Sequence, residues 1–154
     1  MQITLYDTAG MERFVGTIPP TYFRSARVVI FVYSIDDVDS INDINSWADS
    51  ISPQRLGVGG ESLLRVLVGN KIDVEESERD VSWERGAEVA ENLFVDQDLF
   101  FEISALEGTG FDHMFETIVR KLQQSRQGAT GQSATLSLKS STEKGGRGNS
   151  DCAC

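Results

Sequence analysis

The sequence predicts an α/β fold, a mostly parallel sheet flanked by helices, on three observations. Apolar, β-branched runs alternate with segments of 3.6-residue periodicity. The later runs lack the polar alternation of a half-exposed sheet, as expected of strands buried on both faces. Polar motifs at Asp7 to Gly10, Asn70 to Asp73 and Ser104 to Leu106 each follow a predicted strand. Right-handed crossovers put ligand loops at the C-terminal ends of parallel strands, so these motifs are expected to converge on one edge.

Ile3 and Leu5 alternate with Gln2, Thr4 and Tyr6, a period-two strand ending at Asp7. Phe14, Ile18 and Tyr22 mark a turn or short helix around Pro19 and Pro20. Val28 to Ile35 is a buried strand stopped by Asp36 and Asp37. The helix that follows carries Ile41, Ile44, Trp47, Ala48 and Ile51 at helical spacing and ends before Pro53 and the Gly57 to Gly60 stretch. Leu63 to Val68 is the next strand, and Asp73 to Asp80 an acidic loop without the spacing or central Gly of a calcium-binding loop. Ser82 is placed to cap a helix through Phe94, with Trp83, Ala87, Ala90 and Phe94 inward. After a strand at Leu99 to Ile103, the last helix sets Phe111, Met114, Phe115, Ile118, Val119 and Leu122 at i, i+3, i+4, i+7, i+8 and i+11. His113 on that helix reads as a surface residue. From Gln127 onward Gly, Ser, Thr and Lys dominate without periodicity, the composition of disorder.

A chain of 154 residues that is 40% apolar can build one compact domain. Its net charge of −10 argues against nucleic acid as a partner, because phosphate binding needs concentrated Lys and Arg. The longest apolar run, Val28 to Tyr33, is far short of the roughly 18 to 20 residues that cross a bilayer. The first residues lack the pattern of a signal peptide, and a cytosolic location is the default expectation. The two cysteines, Cys152 and Cys154, are too few and too close for a disulfide framework.

The motifs carry definite chemistry. A carboxylate at Asp73 can accept two parallel N–H bonds from guanine, a donor pair that adenine lacks. Asn70 can bond the base or tie neighbouring loops together, and the Lys71 stem can cover a base or sugar face. The Ala105 N–H is a candidate donor to the guanine 6-oxo group. Taken alone, Asn70 to Asp73 also fits a helix cap after a strand. Asp7 could hold a water on Mg²⁺, and the Gly10 N–H can approach a terminal phosphate because no Cβ intervenes. Thr8 and Ala9 complete that loop, which equally fits a plain turn. The paired cysteines fit lipidation, metal binding or neither.

Together, Asp7-Thr-Ala-Gly10, Phe14, Tyr22-Phe-Arg-Ser-Ala26, Asn70-Lys-Ile-Asp73 and Ser104-Ala105 resemble the Rab branch of the Ras-like small GTPases. The stretch from Asp7 to Ala26 is similar to the DTAGQERF…YYRGA block of that branch, and Cys152-Ala-Cys154 to its Cys-X-Cys ending. The resemblance implies a P-loop NTPase-like fold, a guanine-nucleotide switch cycling between GTP and GDP with Mg²⁺, and a role in vesicle-mediated membrane traffic. It implies geranylgeranyl groups on Cys152 and Cys154, two lipid signals being what stable anchoring requires. It also implies prenylation machinery, exchange factors and effectors as partners, with Tyr6, Phe14, Ile18, Tyr22 and Phe23 on the effector surface. The expected location is the cytoplasmic face of an intracellular membrane, or the cytosol when a chaperone holds the tail.

This sequence departs from the family pattern in several places. It has no GxxxxGK[ST] phosphate loop, and the Gly57 to Gly60 stretch lacks the Lys and Ser/Thr that such a loop needs. The first strand, P-loop, first helix and second strand of the family fold are therefore expected to be absent. Residues 1–126 then read as a partial GTPase domain and 127–154 as a disordered, prenylated tail. Met11 stands where the family places the Gln that orients the attacking water, and a thioether cannot both donate and accept. Leu106 replaces a Lys beside the base, keeping only an apolar cover. Without the first strand, about the first 26 residues are expected to dock poorly, with Val28 to Leu122 forming a smaller parallel unit. Competing readings are a prenylated interaction module without enzymatic activity, or an inert gene product.

Overall fold

The computed structural model describes residues 3–7, 26–50 and 63–130. Their core is a parallel sheet of β1 (Val28–Ser34), β2 (Leu64–Asn70) and β3 (Phe100–Ile103), in the order β1-β2-β3. Three helices accompany it: α1 (Val38–Ser50), α2 (Trp83–Asn92) and α3 (Phe111–Thr130). This is the α/β architecture that the alternation of runs predicts. Register puts Val32 beside Val68 and Val68 beside Phe101, so the strands share their C-terminal edge.

Strand ends and helix starts are locked by local polar bonds. The Asp37 carboxylate accepts the N–H groups of Asp39 at 3.0 Å and Ser40 at 3.4 Å, satisfying donors that the first turn of α1 leaves open. The Ser40 hydroxyl accepts the Ser34 N–H at 2.9 Å, tying the helix start to the end of β1. Ile41 and Ile44 are buried, with Trp47 and Ala48 packed at the margin; Ile51 lies outside the described residues. Ser82 caps α2 by accepting the Arg85 N–H at 3.3 Å.

The two sheet faces are covered differently. Phe101 meets His113 of α3 edge to face at 5.8 Å, while Phe100, pointing the opposite way, packs against Trp83 of α2 with ring centroids 4.4 Å apart and the planes tilted by 33°. On the α2 face the Tyr33 side chain is buried in two glycine notches. A Cβ on Gly69 would lie 2.7 Å from its hydroxyl oxygen, and one on Gly86 2.4 Å from that oxygen and 2.5 Å from the Phe100 ring. The hydroxyl finds no hydrogen-bond partner among the described residues. Burial first, and the nearby Glu102 charge second, push its pKa above the ordinary tyrosine range. Glu102 itself pairs with Arg79, whose Nε donates to the Val81 carbonyl at 2.8 Å.

Several expectations change. Residues 3–7 form no strand, and Leu5 is 71% exposed. Alternation makes a strand possible, but a strand also needs a neighbour for its ladder, and the sheet begins at Val28. Trp83 and Phe94 do not point inward. Trp83 is the first residue of α2 and is half exposed beside Phe100, and the helix stops at Asn92. Phe94 then adopts φ 54° and is 88% exposed. The acidic loop contains a single 3₁₀ turn, Glu76–Glu78. Helix α3 runs to Thr130, so residues 127–130, assigned to the tail, are helical; 131–154 lie outside the described residues.

Gly86→Ala should overpack the Tyr33 notch and cost about 1–3 kcal/mol, read from the urea midpoint. Tyr33→Phe should leave the midpoint unchanged or raise it, since it removes a buried hydroxyl without a partner among the described residues.

Candidate functional site

The chain leaves the sheet at the end of β2. The Asn70 carbonyl accepts the Ile35 N–H at 3.0 Å, and the Ile72 N–H donates to the Ile103 carbonyl at 3.2 Å, so the peptides flanking Lys71 are tied to both neighbouring strands. Lys71 itself has φ 75°, in the left-handed region. That conformation costs a residue with a Cβ roughly 1–2 kcal/mol. It turns the backbone sharply enough for three side chains of one short segment to reach three different places.

Asn70 Oδ1 accepts the Ala105 N–H at 2.9 Å. Lys71 Nζ donates to both carboxylate oxygens of Asp36, at 3.0 and 2.8 Å. Asp73 Oδ1 accepts the Ser104 hydroxyl. Fully buried Ser104 is held in turn: its Oγ accepts the Glu107 N–H at 3.0 Å and its own N–H donates to the Thr109 carbonyl at 3.0 Å. Gly108 at φ 76° and Gly110 at φ 84° supply the backbone turns that close this loop. The loops after β1, β2 and β3 are thus stapled side by side.

At Asp36 the bond from Lys71, and then that from the Ser34 hydroxyl, hold the carboxyl below the ordinary aspartate range. Asp73 is exposed, with one oxygen fixed by Ser104 and the other without a partner among the described residues. A carboxylate steadied in this way can accept a pair of parallel N–H donors, the pattern on one edge of guanine.

Two of the three predicted motifs are brought together, and a side chain outside them, Asp36, joins them. Its partner Lys71 lies 35 residues away, so no periodicity pairs them; an acid directly beyond a strand next to β2 was the only signal. The Ala105 N–H, expected as a donor to a 6-oxo group, donates to Asn70 Oδ1. Leu106, expected as an apolar cover, is 85% exposed. Of the first motif only Asp7 is described, and it is exposed; Thr8, Ala9, Gly10 and Met11 lie outside the described residues, as do Phe14, Ile18, Tyr22, Phe23, Cys152 and Cys154. Tyr6 is exposed. No group of three or more His, Cys, Asp or Glu side chains that could hold a metal occurs among the described residues. No described helix is long and apolar enough to cross a membrane.

Comparison with known proteins places this arrangement. The model of the Ras family matches residues 1–124. The chain belongs to the Ras family. Several of the relatives it matches carry Rab-type names. Ras-related protein RABE1e of Arabidopsis thaliana is 33% identical over 124 residues, 80% of this chain and 53% of that protein. Ras-related protein Rab-33 of Caenorhabditis elegans is 36% identical over 131 residues, 82% of this chain and 40% of that protein. GTP-binding protein ypt2 of Schizosaccharomyces pombe is 31% identical over 126 residues, 82% of this chain and 58% of that protein. The chain therefore sits in the Rab branch and spans about half the length of the Ras-family relatives it matches. Its three-stranded parallel sheet and flanking helices are those of a partial P-loop GTPase fold.

Because its folded pKa is depressed, Asp36 contributes stability above the ordinary aspartate value of 3.8 and loses that contribution as the pH falls through the lower folded value. A carboxyl-carbon NMR titration should place its midpoint below 3.8, and Lys71→Met should move the midpoint up towards that value.

Proposed function

We propose that this chain carries the guanine-reading half of a Rab-like small GTPase, a nucleotide-dependent switch in intracellular membrane traffic. One observation supports the reading above others: Asp73 is fixed by Ser104 while Asn70 ties the same two loops together. Asp73 would accept the N1 and N2 protons of guanine, Asn70 would serve the base edge, and the Lys71 stem would cover one face. Ala105 would reach the 6-oxo group by giving up or sharing its bond to Asn70. Asp7 to Gly10 would face the γ-phosphate and a Mg²⁺-bound water. The name GTP-binding protein ypt2, of one relative, is in keeping with this assignment.

Met11 at the water-orienting position favours slow hydrolysis even where the phosphates are held. It also favours the second reading, a membrane-bound interaction module that does no chemistry. In both, Cys152 and Cys154 would carry geranylgeranyl groups, attached by the prenylation machinery, that bring the protein to the cytoplasmic face of a membrane. Exchange factors and effectors would meet the surface that includes Tyr6 and the segment from Phe14 to Phe23.

The chemistry of Asp73 supplies the test. Titration with fluorescent GDP and xanthosine diphosphate, with ATP as competitor, should show GDP preferred and ATP ineffective. Asp73→Asn should reverse the purine preference, because an amide can donate to the 2-oxo group of xanthine where a carboxylate repels it. Each charge-assisted bond is worth about 1.5–3 kcal/mol, so the reversal should exceed roughly tenfold. Equal affinity of the unsubstituted chain for both purines would refute the assignment.

A further inference from the structure

We propose that Asp36 is the positioning residue for Lys71, fixing its stem across the gap between the ends of β1 and β2 before any ligand arrives. The proposal rests on the guanine reading above, since the stem so held would be the ready-made wall of the base site.

Asp36 is well placed as an anchor. The neighbouring Ile35 is buried, donates its N–H to the Asn70 carbonyl at 3.0 Å, and accepts the N–H groups of Asp80 and Val81 on its own carbonyl at 2.9 Å each. On its other side the Asp37 N–H donates to the Ser34 carbonyl at 3.2 Å, and the Asp37 side chain caps α1. The Asp36 carboxylate is steadied by the Ser34 hydroxyl. Lys71, by contrast, is a long side chain on a strained residue whose Cβ direction is set by φ 75°. Its ammonium reaches both oxygens of Asp36.

Magnitudes decide between a structural and a positioning role. The Lys71 and Asp36 side chains are 48% and 26% exposed, and ion pairs of that kind add little to stability. What the pair does achieve is to remove rotamer freedom from the Lys71 stem. A ligand that packs on a stem already held loses less on binding than one that must immobilise it. Truncating the anchor should therefore weaken the ligand through Lys71 and leave folding nearly unchanged.

The test is an NMR titration of the full 154-residue chain with GDP, comparing the unsubstituted protein, Asp36→Asn, Lys71→Met and the double variant, with amide dispersion reporting folding. Asp36→Asn should weaken binding about threefold to tenfold. Asp36→Glu should restore most of it, and Asp36→Asn should cost nothing further once Lys71 is Met. In the ligand-free chain, Asp36→Asn should also speed acetylation of Lys71 relative to Lys121, which stays paired with Asp96. Saturable binding left unchanged by Asp36→Asn, equal losses with and without Lys71, or an unaltered acetylation rate would each overturn the proposal while sparing the guanine reading. Absence of GDP binding by the unsubstituted chain would sink both.

Discussion

The site hangs on the backbone reversal at Lys71, and that reversal is held by the central position of β2. A residue with a Cβ does not occupy φ 75° unless its surroundings over-determine it. Here the peptide before it is bonded to β1 and the peptide after it to β3, something only a strand with a neighbour on each side can arrange. A glycine would take the same φ without strain but could not project an ammonium to Asp36. The reversal also explains why one short segment can contact the loops after all three strands. A straight exit from β2 would carry Asn70, Lys71 and Asp73 away from the sheet edge together.

The core reaches into this edge through Gly69 and Arg79. Gly69 immediately precedes Asn70 and is where the Tyr33 hydroxyl presses against β2, so the packing of an aromatic ring sets the position of the peptide from which the site begins. Arg79 lies near the end of the acidic loop that begins at Asp73, and its mostly buried pair with Glu102 ties that loop to β3 one residue before Ile103. The loop bearing Asp73 and the loop bearing Ser104 are thus referenced to the same strand. The hydrogen bond between those two side chains then closes with little freedom left to lose.

Much of this was legible in the sequence, for physical reasons that also mark where legibility ends. β1 and β2 were evident as apolar, β-branched runs, although β1 is not buried on both faces as expected: Phe31 and Tyr33 are buried while Val32 is 56% exposed; the C-terminal ends of parallel strands were the expected place for the polar motifs. The motif residues were found as residue types at fixed spacing. The pairing of Lys71 with Asp36 was not, because it crosses from one strand end to the next and depends on register. The inward assignment of Phe94 failed because helical phase was extended past the residue where the helix ends. The notch formed by Gly69 and Gly86 around Tyr33 leaves no sequence trace either; it belongs to residues far apart in the chain whose only shared property is the lack of a Cβ.

Base reading and phosphate gripping are separable contributions, and on the proposed guanine reading the described residues would supply the first. Two charge-assisted bonds at Asp73, about 1.5–3 kcal/mol each, fall short of tight affinity once the cost of association is set against them. On their own they would support binding of order millimolar or weaker, since a dissociation constant of 1 mM already corresponds to about 4 kcal/mol. They would still discriminate, because a purine without the paired donors would leave the Asp73 carboxylate facing an acceptor. Selectivity without strong affinity is what the proposed base-reading edge would provide by itself. Under such conditions every degree of freedom frozen in advance counts proportionally more. The stapling of Asn70 to Ala105, Lys71 to Asp36 and Asp73 to Ser104 is therefore the feature on which any nucleotide recognition by these loops depends.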